Sequence, residues 1–74
     1  MCSVPKHRRV LGDNLRKFRK QANLTQERLA EKAGLSVVFI SLLENGWRTA
    51  SLDSMLSIAK VLGVELSELV QGVK

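Results

Sequence analysis

The chain has 74 residues, of which 45% are hydrophobic and 26% charged, with one cysteine and a formal net charge of +5. This composition fits one small globular domain and excludes global disorder, an internal disulfide and a cysteine-based metal site. No apolar run approaches the roughly 20 residues needed to cross a bilayer, and the N-terminus lacks the apolar core of a secretory signal, so we expect a cytoplasmic protein.

Residues 1–9, MCSVPKHRR, contain one proline and a basic cluster and offer little to bury. We expect a flexible basic arm here, followed by a single domain over residues 10–74. Residues 1–24 carry seven basic side chains against one acidic side chain, so the positive charge is concentrated at one end. A nucleic-acid backbone or an anionic membrane would attract this end, but a solvated charged surface without a partner explains it equally well.

Helical spacing of apolar residues begins at Leu11. The first stripe consists of Leu11, Leu15, Phe18 and Ala22. This spacing predicts an α-helix that ends near Asn23. Thr25 is the expected N-cap of a short second helix, and Gly34 ends that helix, because glycine adopts positive φ at little cost.

The segment GLSVVFISLLENGW, residues 34–47, gives an ambiguous local signal. Residues 37–40 are β-prone and fit a buried strand. No other part of the sequence alternates with period two or resembles a hairpin, and an isolated strand is not stable. We therefore predict a third helix, capped by Ser36 and ended by Asn45 and Gly46. It would bury Ile40 and Leu43 and expose positions 37, 38, 41, 42 and 45.

Two more helices follow. Ser51 is the expected cap of the fourth helix, Gly63 ends it, and residues 66–70 form the fifth. The apolar positions of the fourth helix are Leu52, Met55, Leu56, Ala59 and Leu62. The core expected around the third helix consists of Leu15, Phe18, Leu29 and Leu56. The predicted fold class is all-α, with five short helices.

Two stretches, TQERLAEKAGLSVVFISLLENG and SLDSMLSIAKVLGVELSEL, resemble the phage-repressor and Cro-like helix-turn-helix family, also called the XRE family. The similarity covers about residues 10–70, and T-Q-x-x-L-A followed by Gly and S-x-x-x-I-S-x-L-E-x-G is a specific combination. The resemblance implies a lambda-repressor-like fold whose third helix lies in the DNA major groove. It implies a cytoplasmic, nucleoid-associated regulator of transcription, a dimeric repressor on a palindromic operator.

The resemblance also implies roles for individual residues. Base-facing positions would be Ser36, Val37, Val38, Ser41 and Leu42. Phosphate contacts would come from Thr25, Gln26, Phe39, Asn45, Trp47 and Arg48, with arm contacts from Lys6, Arg8 and Arg9. Arg19 and Glu44 match a partly buried structural salt bridge. For Trp47 a second placement is open, against the fourth helix or a subunit interface.

The positions matching Val37, Val38 and Leu42 carry Gln, Asn, Lys or Arg in several relatives. Valine and leucine cannot make the bidentate hydrogen bonds that distinguish guanine or adenine, but they can pack on a thymine methyl. We therefore predict weak direct readout and a larger contribution from phosphates and DNA shape. The alternative is an antitoxin-like interaction module in which this exposed apolar face binds a protein.

A homodimer would place two recognition helices about 34 Å apart, one turn of DNA. Its interface candidates are Ile58, Val61, Val64, Leu66, Leu69 and Val70, apart from those that the core requires. We expect no enzymatic activity, metal or cofactor, because the one histidine is His7 and no ligand cluster or phosphate-binding loop occurs. Phage repressor, restriction-modification controller, antitoxin and general regulator are all compatible with the sequence.

Overall fold

The chain folds as five α-helices in a computed structural model, which describes residues 4–73. The helices are α1 (Lys6–Gln21), α2 (Gln26–Ala33), α3 (Val37–Glu44), α4 (Leu52–Leu62) and α5 (Leu66–Leu69). Residues 4–73 contain no strand, so the predicted all-α class is confirmed. None of the helices in this part of the chain is long and apolar enough to span a membrane.

Local capping signals set the helix boundaries as predicted. The hydroxyls of Thr25, Ser36 and Ser51 each accept a hydrogen bond from the backbone N–H three residues later. Gly34 and Gly63 end α2 and α4 in the left-handed conformation, each with φ of 71°. These caps satisfy backbone groups that the helices leave unpaired at their ends.

The ambiguous segment is helical, which confirms the prediction for α3. Its hydroxyl cap at Ser36 starts the helix, while Ile40 and Leu43 are completely buried against α1 and α2. The lower helix propensity of valine and isoleucine costs roughly a few tenths of a kcal/mol per residue. Burying a large aliphatic side chain contributes about 2 kcal/mol to the stability of the fold, which is more. Tertiary packing therefore determines the conformation.

The apolar core runs through the centre of the bundle and draws on all five helices. Its buried members are Leu11, Leu15, Leu29, Ala30, Ile40, Leu43, Ala50, Ile58, Ala59, Leu62 and Leu69. The predicted core positions Leu15 and Leu29 are buried, while Phe18 packs against the edge of the cluster and is half-buried.

The predicted apolar face of α4 is wrong at two positions. Leu56, expected in the core, is 47% exposed, and Leu52 is also exposed. The predicted positions Ala59 and Leu62 are buried, and Ile58 joins them in place of Leu56. The α4 sequence has apolar residues on two overlapping stripes, and the one that faces α2 and α5 is the one that becomes buried.

The predicted boundary of the basic arm is also wrong. Residues 6–9 form the first turn of α1, because Pro5 precedes the helix with a φ of −56° and its carbonyl accepts the N–H groups of Arg8 and Arg9, each at 3.1 Å. Val4 packs on the turn after α3, where a Cβ on Gly46 would lie 2.5 Å from the Val4 Cγ1. Residues 1–3 of the expected arm lie outside the described residues.

Gly12 allows α1 to approach the C-terminal end of α3 at backbone distance. A Cβ at this position would lie 2.5 Å from the carbonyl oxygen of Leu43 and 2.6 Å from that of Glu44. Since real Cβ atoms do not come so close to backbone oxygens, only glycine permits this crossing. The contact fixes α1 against the C-terminal end of α3.

Candidate nucleic-acid interface

A tight turn joins α2 to α3. Gly34 takes positive φ, and the N–H of Leu35 donates to the carbonyl of Ala30 at 2.8 Å, which closes the end of α2. Leu35 packs against the core, and Ser36 already caps α3. Because only residues 34–36 intervene, the two helices form a helix-turn-helix unit of fixed geometry.

The exposure of the side chains on the outward face of α3 differs from one position to the next. Val38 is 65% exposed, and Ser36, Val37 and Asn45 are also exposed. Ser41 and Leu42, predicted on the same face, are half-buried. The N-terminal half of α3 therefore presents most of the apolar surface.

The start of α2 and the end of α3 meet at Glu44. The Nε2 of Gln26 donates to the Oε1 of Glu44 at 3.1 Å, which places the N-terminal turn of α2 beside the last turn of α3. Thr25 is exposed at the cap of α2. Helix N-termini attract anions through their free N–H groups and dipole, so this corner suits a phosphate. The amide of Gln26, predicted to contact phosphate, is held by Glu44.

Glu44 is buried, with 2% of its surface exposed, and its carboxylate accepts hydrogen bonds from two other helices. The predicted pair with Arg19 is present, with Nε to Oε2 at 2.5 Å and Nη2 to Oε1 at 3.1 Å. Arg16 Nε approaches Oε1 at 3.4 Å. The sequence did not indicate that Arg16 and Gln26 join this network, because they lie 28 and 18 residues from Glu44.

Burial by itself raises the pKa of Glu44 because a buried carboxylate loses its hydration. The hydrogen bonds from Arg19 and Gln26, the positive charge of Arg19 and the hydrogen bond from Arg16 outweigh that effect and leave the pKa below its ordinary value. Glu44 is therefore ionised at neutral pH, and the network joins α1, α2 and α3 around one negative charge.

The turn after α3 presents Trp47 at the surface. Gly46 has φ of 79°, and the N–H of Trp47 donates to the carbonyl of Leu42 at 2.9 Å. The Trp47 side chain is 56% exposed, so packing on α4 does not bury it. Its carbonyl accepts a hydrogen bond from the Nη1 of Arg8 at 3.1 Å, which ties the first turn of α1 to this turn.

Arg48 lies over the ring of Phe39, with its guanidinium carbon 5.6 Å from the ring centroid. This cation–π contact connects the segment after α3 to the N-terminal half of α3. Phe39 is half-buried and Arg48 is exposed. Two residues predicted to face the DNA backbone are thus brought together, with the cation on the solvent side.

The remaining predicted residues lie elsewhere on the surface or in the core. Lys6 and Arg9 are exposed on the first turn of α1. Ile58 and Leu69 were interface candidates unless the core required them, and both are buried where α4 and α5 meet the core. Val61, Val64, Leu66 and Val70 are half-buried and keep free surface.

No cluster of metal-ligating side chains occurs among residues 4–73.

Comparison with known proteins finds control proteins and regulators that are similar to this chain. The chain is 36% identical over 67 residues to the control protein C.SmaI of Serratia marcescens, covering 88% of this chain and 80% of that protein. The crystal structure of the restriction-modification controller protein C.AhdI from Aeromonas hydrophila matches with TM-score 0.81 at 35% identity, covering 84% and 94%. The crystal structure of SinR, a master regulator for biofilm formation, in complex with DNA matches with TM-score 0.80 at 26% identity, covering 82% and 98%.

The family model for the helix-turn-helix family HTH_3 matches residues 15–69, which include the turn, the Glu44 network and most of the core. This match covers most of the chain, and the relatives above match over most of their own length. The resemblance seen in the sequence is confirmed. The chain belongs to the HTH_3 helix-turn-helix family, the XRE-type DNA-binding regulators of transcription, which are not enzymes.

Proposed function

We propose that the chain acts as a homodimeric repressor that inserts α3 into the major groove of a palindromic operator. The observation that carries this proposal is the meeting of the α2 N-terminus with the end of α3 at Glu44. It puts Thr25 and Asn45, two residues suited to phosphate, at one corner of the helix whose opposite half exposes Val37 and Val38. Phosphates would fix the register, and α3 would contact the bases.

A second copy of the chain is the proposed partner in binding. The surface we assign to the interface consists of Val61, Val64, Leu66 and Val70, which are half-buried apolar residues on α4, on α5 and in the segments beside α5. Covering these residues would bury apolar area that the monomer leaves in water. Two-fold symmetry would match a palindromic site with half-sites about 34 Å apart.

Among the regulatory roles compatible with the sequence, we favour control of a restriction-modification system. C.SmaI is a control protein, and C.AhdI is a restriction-modification controller protein. The proposed place of action is the nucleoid, in the cytoplasm. In this role the chain would occupy a promoter beside the genes that it regulates.

Replacing Val38 by alanine should change base preference more than total affinity. Val38 is the most exposed apolar side chain of α3, and the substitution removes two methyl groups that can pack on a thymine methyl. We expect a loss of about 1 kcal/mol at thymine-containing positions, measured by selecting bound DNA from a random pool. Leu56→Ala on α4 is the control, since it removes exposed hydrocarbon away from α3. An unchanged preference in the Val38 variant would count against apolar readout.

Salt titration tests DNA binding against the alternative of a protein-interaction module. Contact with about four phosphates would lower the DNA affinity about a hundredfold between about 50 and 200 mM salt, because each neutralised phosphate releases counterions. An apolar interface through Val38 and Trp47, both well exposed, would keep its affinity as salt rises. A flat salt profile for the measured complex would support the interaction module and contradict operator binding.

A further inference from the structure

Arg16 reaches from α1 to the end of α3 and contacts it at three points. Its Nε approaches the Oε1 of Glu44 at 3.4 Å, while its Nη2 donates to the carbonyl of Glu44 at 3.3 Å and to the Oδ1 of Asn45 at 3.2 Å. The last turn of α3 has no basic residue of its own. The final carbonyls of a helix lack intrahelical partners and attract cations, so Arg16 supplies this charge from another helix.

Both polar atoms of the Asn45 side-chain amide make hydrogen bonds. Its Nδ2 donates to the carbonyl of Ser41 at 2.9 Å, and its Oδ1 accepts from Arg16. These two bonds fix the side-chain torsions of a residue that is otherwise exposed. The orientation of Asn45 therefore depends on a guanidinium that is itself attached to α1.

The shape of the guanidinium matters for this arrangement. Its planar fork reaches a carboxylate, a carbonyl and an amide oxygen together, whereas a lysine ammonium at the end of a flexible stem would not hold all three in place. The Arg16 side chain is 40% exposed, so the cation lies at the surface beside Asn45. Arg8 holds the carbonyl of Trp47 in the same turn, so α1 secures the turn at two points.

We propose that Arg16 is a positioning residue for operator binding, which orients Asn45 and the turn after α3 to receive a backbone phosphate. This proposal rests on the proposed function, because it assumes that Asn45 meets DNA. Preorganisation lowers the ordering cost of binding, since the side chain is fixed before the phosphate arrives. Arg16 then contributes mainly through Asn45 rather than through its charge alone.

A double-mutant cycle tests this coupling. The variants Arg16→Met, Asn45→Ala and the pair are compared for affinity to a duplex enriched by this chain from a random pool, at fixed salt. Each single change should weaken binding about tenfold, and the pair should be little weaker than either. Lys17→Met, which removes an exposed charge from the next position of α1, should change binding less than threefold, roughly, as a control. If the double variant loses affinity by the product of the two single-variant factors, the two residues act independently and the proposal is overturned.

Arg16→Lys separates positioning from charge and avoids the loss of a cation near Glu44. We expect this variant to recover only part of the affinity that Arg16→Met loses. Affinity equal to that of the unchanged chain would show that charge suffices and would overturn the proposal.

Hydrogen exchange of the Asn45 side-chain amide, measured by NMR without DNA, provides an independent readout. Slow exchange in the unchanged chain and faster exchange in Arg16→Lys are expected; equal exchange rates would contradict the role assigned to Arg16. If no DNA is bound, the proposed function fails, while this measurement still tests the hold on Asn45.

Discussion

Glu44→Ala is expected to lower the free energy of unfolding by about 4 kcal/mol. The carboxylate is buried and accepts hydrogen bonds from Arg19, Gln26 and Arg16. Removing the carboxylate leaves a cavity and leaves the largely buried guanidinium of Arg19 without a counter-charge. A domain of this size has only a few kcal/mol of stability to lose. Urea denaturation followed by circular dichroism measures the effect.

Two further variants make this result interpretable. Glu44→Gln keeps the shape and one acceptor oxygen, so it should destabilise the fold less than alanine does and should remain folded. Glu31→Ala removes an exposed partner of Arg28 and should cost about 0.5 kcal/mol or less, because surface ion pairs contribute little. A Glu44→Ala variant as stable as the Glu31→Ala control would contradict the structural role of the network.

The acid dependence of stability should depend on the same residue. The folded-state pKa of Glu44 lies below its ordinary value, so its contribution is present above that ordinary value and is lost as the pH falls through the lowered pKa. The stability difference between the unchanged chain and Glu44→Gln should therefore shrink on acidification below about pH 4.5. Denaturation at several acidic pH values checks this, and a difference that stays constant would oppose it.

Gly12→Ala should cost about 3 kcal/mol, because the new Cβ would overlap the carbonyl oxygens of Leu43 and Glu44. Those atoms belong to the backbone of α3, so the helices must separate to relieve the overlap. In an isolated helix, alanine is more favourable than glycine by about 1 kcal/mol. The sign of the change therefore tests whether α1 and α3 cross at backbone distance.

Asp13→Ala is the matched control for this prediction. Asp13 is the next residue of α1 and is exposed, so its replacement alters helix propensity without introducing a clash. Thermal unfolding of the two variants should give a clearly lowered midpoint for Gly12→Ala and a nearly unchanged midpoint for Asp13→Ala. A stabilised Gly12→Ala variant would mean that α1 and α3 do not cross at backbone distance.

Much of the fold is predictable because its signals are local. Ser36 and Gly34 mark helix ends by their own chemistry, and the helical spacing around Leu15 marks the face that becomes buried. The orientation of α4 is not predictable in this way, because Leu56 and Ile58 lie on competing apolar stripes and only contact with α2 and α5 selects one. Packing between helices provides information that spacing along one helix does not contain.

The candidate site is predictable only where the family motif supplies it. The Arg19–Glu44 pair follows from the resemblance, but the contacts of Arg16 depend on how α1 crosses α3. Gly12 offered a signal that sequence reasoning missed: a glycine within a helical stretch destabilises that helix unless another backbone approaches closely. The burial of Ile58 and Leu69 likewise depends on how α5 packs on the core, which spacing along one helix does not show.

We propose that a largely apolar helix, α3, recognises the operator. Phosphates near Thr25 and Asn45 would hold α3 in place, and the hydrocarbon of Val37 and Val38 would pack on thymine methyl groups and exclude other bases by bulk. Sequence-dependent DNA shape would then contribute at positions that no side chain touches.

Operator recognition by α3 can be measured by selecting bound DNA from a random pool at low salt and then determining the mass of the resulting complex. We expect enrichment of a palindromic site with two half-sites about one helical turn apart, bound by two copies of the chain. The enriched half-sites should contain thymines where α3 meets the groove. Failure to enrich any sequence would contradict sequence-specific binding by α3.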